Sequence, residues 1–453
     1  MVPLTRPGGG SASANPRTAP IATIYDPIHG PILVSAAELA LIDSAIFRRL
    51  RFIKQLGLAE MAFPGATHSR LSHSIGAMHV ASAMFDQVAP VLGLAEPARL
   101  RQALRLAVLF HDVGHPPLSH AAEGALPSVS ELALGPWQPS AGAAPARHEL
   151  MAVHLLRSQP LARDLHDAVG DLGITAEHIA ALIAGRPPTP CDLSAFVHDG
   201  ADLLPLLAAM VGGELDADRM DYLRRDATFT GVGTGHFDHA WLAGHLVPLR
   251  VGDSWHLGLG HRAIWALENF LLARQHMFLS VYHHHTAVAL DTCLGFWLAA
   301  SGLRWSSDPE AFAGEDDVAL WARLRASSDP WARRLVARRP LRLVAESHLW
   351  EGHGTAGAAD ALAPLAGALA AAGMPSWLVR SESMLSRYGR GRGVTVPLMI
   401  RVRGGQVAPV DQYTPLYHRT TQVAGTTRLF CLPEDGSRAL AARDRLFGPP
   451  TGT

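Results

Sequence analysis

Apolar residues recur at three- and four-residue spacing through much of the chain, and that period predicts helices. From Ala36 to Leu58 one stripe runs through Leu39, Ile42, Ile46, Leu50, Ile53 and Leu56, with Arg48, Arg49 and Arg51 on other faces. The stretch FPGATHSRLSHSIGAMHVASAMF opens with a Pro-Gly turn and becomes helical, its small residues allowing close backbone approach. The apolar run in LAVLFHDVGHPPLSH predicts a helix that Gly114, Pro116 and Pro117 stop. Helical periodicity resumes in ARHELMAVHLLRS, from Thr175 to Ala184, from Asp199 to Val211, and in GGELDADRMDYLRRDATFTGVG; RPPTPCD cannot be helical. From His261 to Ala300 the pattern is that of one long, nearly uninterrupted helix.

Two segments alternate as strands do. Residues Ile21 to Val34 predict a hairpin about a Pro/Gly-rich turn, and His245 to Leu259 a second about Gly252-Asp253. Gly135 to Pro145 is a surface loop. Beyond Ser301 the pattern is thinner: Arg-rich helices, an Ala-rich stretch from Thr355 to Ala372, a strand at Val394 to Val402 and a Gly/Pro-ending tail. The expected class is mainly α with small β-hairpins and a smaller α+β C-terminal part. The expected division is a disordered leader at 1–20, a helical domain at 21–300 that carries the chemistry, and a C-terminal region at 301–453 for oligomerisation or regulation.

Composition narrows the class. Of the 453 residues, 48% are hydrophobic and 17% charged, the balance of a soluble globular protein. No apolar run reaches the ~18 residues of a membrane span, and the Gly/Ser/Ala/Pro-rich N-terminus lacks the apolar core of a signal peptide. Three separated cysteines, Cys191, Cys293 and Cys431, fit neither a disulfide framework nor a cysteine zinc site, so the cytoplasm is the expected compartment. A net charge of −1 exerts no general pull on nucleic acid, and DNA affinity would need a local patch. Lys54 is the only lysine, which coding bias in a GC-rich genome explains more simply than selection for phosphate binding.

The candidate chemistry centres on His111-Asp112. Five polar or ionisable positions crowd one helix end there, and a packed core has no use for them. Neighbours on a helix diverge by about 100°, so a borderline or hard divalent cation would sit in the wedge between imidazole and carboxylate. Two ligands are too few, and His73 upstream and Asp218 downstream can add to them. Arg70 and His73, three apart, share a helix face; a lone histidine is usually structural, but this one precedes the His-Asp pair. Asp218 and Asp221, Arg219 and Tyr222, and Tyr222 and Asp226 share faces too. That cluster reads either as a salt-bridged surface or, given the scarcity of charge around it, as a site. Of His283, His284 and His285 at most two can line one cavity.

With DPIHG, FRRLRFIKQLG, FPGATHSRLSHSIG, HDVGHPPLSH, DADRMDYLRRD and YHHHTAVALDT, the chain resembles the HD-domain phosphohydrolases, and among them the deoxynucleoside triphosphate triphosphohydrolases, over roughly Tyr25 to Leu298. From the C-terminal third nothing carries over. The resemblance implies metal ligation by His73, His111, Asp112 and Asp218, with Fe, Mn, Zn or Ni all compatible and a second, phosphate-bridged Mg plausible. It implies hydrolysis at the α-phosphorus, releasing deoxynucleoside and triphosphate. His120 matches the general acid, Glu123 (aspartate in one family member) and His148 a supporting relay, and His115 an α-phosphate contact.

The resemblance also implies a nucleotide pocket. Arg70 would face the α-phosphate and base, Arg219 (lysine in one family member) and Arg274 the distal phosphates, and Gln55 and Asp226 the sugar 3′-hydroxyl. Leu56, Tyr222 and Tyr282 would exclude a 2′-hydroxyl. Phe278 and His283 replace a histidine and a glutamine, so base preference and rate would differ. Asp43 and Arg51 match a guanine effector site, which implies a homo-oligomer, dimer or tetramer, regulated by nucleotide; Arg48 replaces a glutamine there, and a plain cap and a solvent-facing arginine are the alternative. Rival readings are an HD-type nucleotidase or phosphodiesterase for mononucleotides or signalling nucleotides, and a sensor that binds nucleotide or single-stranded nucleic acid.

Overall fold

The computed structural model describes residues 2–3, 17–139, 142–349, 355–384, 397–416 and 423–448. Strands β1 (Val2–Pro3), β2 (Pro20–Asp26) and β3 (Gly30–Ser35) form an antiparallel sheet in that order. The β2–β3 turn is set by Asp26, whose Oδ1 accepts the backbone N–H of Ile28 and His29 at 2.9 and 3.0 Å, and by Gly30 at φ +71°. Of the expected leader, residues 4–16 lie outside the described residues.

The stripe from Ala36 to Leu58 is not one helix. It divides into α1 (Ala36–Ile42), α2 (Ala45–Arg48) and two 3-10 turns, Arg49–Phe52 and Gly57–Met61. Asp43 ends α1, and the Ser44 side chain accepts the Phe47 N–H to start α2, so a cap interrupts an apolar spacing that itself continues. Next come α3 (Arg70–Leu92), closed by Gly93 in the left-handed conformation, and α4 (Pro97–Phe110), with proline in its first turn. α3 is the one helix among the described residues long and apolar enough to cross a membrane; 67% of that stretch is buried in the fold.

Then follow α5 (His148–Arg157), α6 (Gln159–Val169), which the apolar pattern did not announce, and α7 (Ala176–Ala184). The helix expected from Asp199 starts five residues later. β4 (Val197–His198) and β5 (Ala201–Asp202) pair first, and α8 (Leu204–Gly212) begins at a proline-containing turn. α9 (Ala217–Thr230) and α10 (His239–Ala243) lead to the hairpin β6 (Leu246–Val251) and β7 (Ser254–Gly260). The long helix expected from His261 is also broken: α11 (Ile264–Met277) passes into a π-helical turn at Phe278–Tyr282, and α12 (His285–Ser301) starts where His284 caps the Thr286 N–H.

The C-terminal part holds α13 (Pro309–Ala313), α14 (Asp317–Ala326), α15 (Pro330–Val336), β8 (Arg342–Leu349), α16 (Thr355–Ala371) and β9 (Ser376–Met384). It ends with β10 (Met399–Arg401), β11 (Val407–Pro409), β12 (Val423–Cys431) and α17 (Gly436–Phe447). Of the strand expected at 394–402, residues 394–396 lie outside the described residues. β8, β12 and β9 make an antiparallel sheet in that order, and a small apolar cluster including Leu365, Leu369 and Ala439 lies beneath it. β10 pairs in parallel with β7, tying this part to the hairpin. One apolar cluster runs from Ala22 to Phe430 through both parts. The molecule is mainly α with small sheets.

Candidate active site

Three helices bring five side chains to one point. Arg70 and His73 lie in the first turn of α3, His111 and Asp112 follow α4, and Asp218 lies in the first turn of α9. His73 Nε2 is 3.0 Å from Asp218 Oδ1, 3.6 Å from Asp112 Oδ2 and 3.4 Å from His111 Nε2. His111 Nε2 is 3.3 Å from Asp112 Oδ1 and 3.5 Å from Asp218 Oδ1. The other ring nitrogens face acceptors: His111 Nδ1 donates to Val108 O at 2.6 Å, and His73 Nδ1 donates to Asp221 Oδ2 at 2.7 Å. Both imidazoles therefore turn Nε2 inward, the tautomer a metal ligand needs.

Asp221 is itself held from two sides. His29 Nε2 lies 2.6 Å from its Oδ1, and Arg225 donates to both its oxygens at 2.8 Å while also donating to Asp26. Burial alone would depress His73, yet hydrogen bonds to Asp218 and Asp221 raise it to about 10. Burial opposes ionisation of Asp112, but Arg70 and then His111 hold its carboxyl well below the usual range. The carboxylates thus demand positive charge at this point. Two imidazole nitrogens and two carboxylates are a donor set that fits a borderline divalent cation.

A second cluster lies beyond α4. Glu123 Oε1 is 2.9 Å from His120 Nδ1, 2.6 Å from His148 Nδ1 and 3.6 Å from His115 Nδ1, so the longer acid spans the relay. His115 stacks on His148 at 3.8 Å between centroids, whereas the His120 side chain is 68% exposed. Gly114 permits this approach: a Cβ there would lie 2.1 Å from His148 O. Burial opposes the Glu123 charge, but the His120 and His148 hydrogen bonds hold the carboxyl well below its usual range. Burial, then Arg70 and His148, keep His115 neutral. Asp112 joins the clusters, with Oδ1 3.3 Å from His115 Nε2 and Oδ2 accepting from Arg70 at 2.6 Å.

Both clusters open on a cavity of about 370 Å³ lined also by Gln55, Leu56, Arg70, Arg219, Tyr222, Asp226, Arg274, Phe278 and Tyr282. Asp226 is engaged by His68 Nε2 at 2.7 Å and by the Tyr282 hydroxyl, which donates at 2.8 Å. Gln55 Oε1 is buried with no hydrogen-bond partner among the described residues. His283 does not line this cavity. It follows the π-helical turn, 5.6 Å from the Phe278 ring, where burial and then Arg428 lower it to about 4. Asp43 and Arg51 are both exposed and lie outside the cavity.

Several contributors went unassigned in the sequence. Asp26 and His29 stand in DPIHG, a polar group inside a predicted hairpin, and Asp221 and Arg225 are four apart on the acidic helix; those spacings were a usable signal. Glu149 and Asp216 also line the cavity. Asp317 offered no signal. Its carboxylate accepts the Leu118 N–H at 2.7 Å and the Lys54 N–H at 2.8 Å, holding the left-handed Leu118-Ser119 turn (φ +57° and +60°) beside Gln55 and His120.

No protein-family model matches the chain. It is 29% identical over 315 residues to an uncharacterized protein of Methanocaldococcus jannaschii, covering 70% of this chain and 57% of that one. It is 28% identical over 283 residues to the deoxynucleoside triphosphate triphosphohydrolase SAMHD1 of Bos taurus, covering 60% of this chain and 46% of that one. The chain thus spans about half the length of these relatives. A crystal structure of a hypothetical protein from Aquifex aeolicus superposes with a TM-score of 0.69 over 93% of this chain and 99% of that one at 24% identity, a likeness of fold. The chain resembles HD-domain phosphohydrolases of the deoxynucleoside triphosphate triphosphohydrolase kind.

Proposed function

We propose that this relative of the HD-domain phosphohydrolases is a metal-dependent hydrolase of deoxynucleoside triphosphates, releasing deoxynucleoside and inorganic triphosphate. The observation that carries the reading is one cavity lined by His111, Asp112 and Asp218, with the buried His73 within 3.6 Å of each of them, by the guanidiniums of Arg70, Arg219 and Arg274, and by the Glu123-bound His120. A divalent cation held by the donor set would supply Lewis acidity toward a phosphoryl oxygen and lower the pKa of water. Arg70, held by Asp112 and by Ser119 Oγ at 2.8 Å, would meet the α-phosphate. His120, oriented through Nδ1 by Glu123, would give its Nε2 proton to the leaving 5′ oxygen.

Gln55 Oε1, buried and without a partner among the described residues, suits a donor such as a sugar hydroxyl. The Tyr282 hydroxyl, kept neutral by burial and then by Asp226, closes one wall together with Tyr222, whose ring lies 6.1 Å away. An added 2′-hydroxyl there would be desolvated against aromatic faces, the physical basis for preferring deoxyribose. The test is incubation with each dNTP, rNTP and dNMP under several divalent metals, with chromatographic identification of products. Deoxynucleoside plus intact triphosphate is the expected pair. A nucleotidase acting on monophosphates is the second reading, favoured by the carboxylates of Glu214 and Asp216 facing Arg219 and Arg274.

A further inference from the structure

Two of the cavity's arginines share one buried carboxylate. Arg219 Nη1 is 3.7 Å and Arg274 Nη1 3.9 Å from the same oxygen, Glu214 Oε1, and each of these side chains is only 7% exposed. Asp216 Oδ2 stands 3.5 Å from Arg219 Nε. Two carboxylates therefore balance, in part, two guanidiniums at this end of the cavity. Burial makes that balance matter, because charges shielded from water are screened little by salt.

The ion pairs from Glu214 Oε1 to the two arginines are longer than hydrogen bonds, and Arg219 Nη1 donates instead to the Glu214 backbone carbonyl at 3.0 Å, so the carboxylate acts on these arginines through charge. Arg274 Nε and Nη1 are buried and have no hydrogen-bond partner among the described residues. Burial and then the neighbouring Arg219 hold the Arg274 guanidinium below its ordinary pKa, the signature of two cations crowded together. Unpaired guanidinium donors lining a cavity suit phosphate oxygens, which accept through fixed lone-pair directions. The adjacent Glu214 carboxylate repels the same phosphates. The two arginines alone would favour each added phosphate; Glu214 opposes that preference.

We infer that Glu214 is a specificity-determining residue that limits how strongly this cavity prefers long phosphate chains over short ones. The inference rests on the phosphohydrolase reading for its substrates, though not for its electrostatics. A terminal phosphate reaching Arg219 and Arg274 would come under the field of Glu214, which stands beside both arginines without lining the cavity, whereas a monophosphate held at Arg70 and the donor set would not extend that far. Replacing the carboxylate by an isosteric amide removes the repulsion and leaves both arginines in place.

The experiment compares wild type with Glu214→Gln and Glu214→Asp on one deoxynucleoside mono-, di- and triphosphate series. In Glu214→Gln the KM for the triphosphate should fall roughly tenfold, that for the diphosphate by less, and that for the monophosphate by under about twofold. Glu214→Asp keeps the charge and should keep the wild-type order. In parallel, calorimetric titration of each protein with inorganic triphosphate and with orthophosphate at fixed free magnesium reads the same effect without turnover. Tighter triphosphate binding by Glu214→Gln, with orthophosphate unchanged, supports the inference even if no variant hydrolyses a nucleotide, an outcome that would sink only the proposed activity. An equal change for all chain lengths, or weaker triphosphate binding, would overturn the inference.

Discussion

Glu123 Oε1 holds both His120 and His148, and it does so at the mouth of the cavity, where His120 alone of that cluster is exposed. A proton donor needs that combination of fixed orientation and access to the leaving group. His120→Ala should therefore keep its metal and lose about 10²- to 10⁴-fold in turnover. Near-wild-type turnover would mean that another group delivers the proton. Much of this site was legible in the sequence because ionisable residues are scarce in the surrounding apolar runs: His73, Arg70, His111-Asp112 and Asp218 stood out against them. Glu214 and Asp317 did not, since their roles depend on which distant backbone or guanidinium the fold sets beside them.

At the scale of elements, the missed features are breaks. The apolar spacing continues straight through Ser44 and His284, and only the cap hydrogen bonds made after folding stop the helices there. The turn at Leu118-Ser119 depends on α14 in the same way. Asp317→Ala would strand the buried Leu118 N–H and the half-buried Lys54 N–H, and should lower the unfolding free energy by about 2 kcal/mol. Denaturant unfolding of the two proteins measures this, and equal midpoints would mean that the link carries no stability.

Helix α1 is fastened to α4 by Glu38, which accepts from Arg105 Nε at 2.5 Å and from Gln102 at 2.9 Å. Burial opposes the charge, but Arg105 holds the carboxyl below its ordinary value of 4.5. A folded pKa lower than the unfolded one gives stability that is present above about 4.5 and lost as pH falls through the folded value. Thermal melts of wild type and Glu38→Gln should thus differ most near neutrality and converge in acid. A gap that widens in acid would reverse the assignment.

At the scale of the molecule, the C-terminal part is bound to the rest by β10 on β7 and by Asp317 on the site turn, so events in either part have a route to the other. We propose that the chain forms an oligomer whose activity responds to guanine nucleotide at Asp43 and Arg51, both exposed and outside the cavity. Carboxylate and guanidinium complement the donor and acceptor edges of guanine, and a nucleotide that prefers the assembled state must shift the equilibrium toward it. Light scattering and dNTP hydrolysis with and without GTP or dGTP test this. A constant mass with hyperbolic, effector-independent kinetics would exclude it.

The central claim is that the donor set of α3, α4 and α9 holds the cation on which hydrolysis depends. The most direct measurement is metal content and dNTP hydrolysis taken together on wild type, His111→Ala and Asp112→Ala. Loss of one of four ligands should cut metal affinity by about 10- to 100-fold or more and abolish hydrolysis in both variants. Wild-type metal occupancy with wild-type activity in either variant would contradict it.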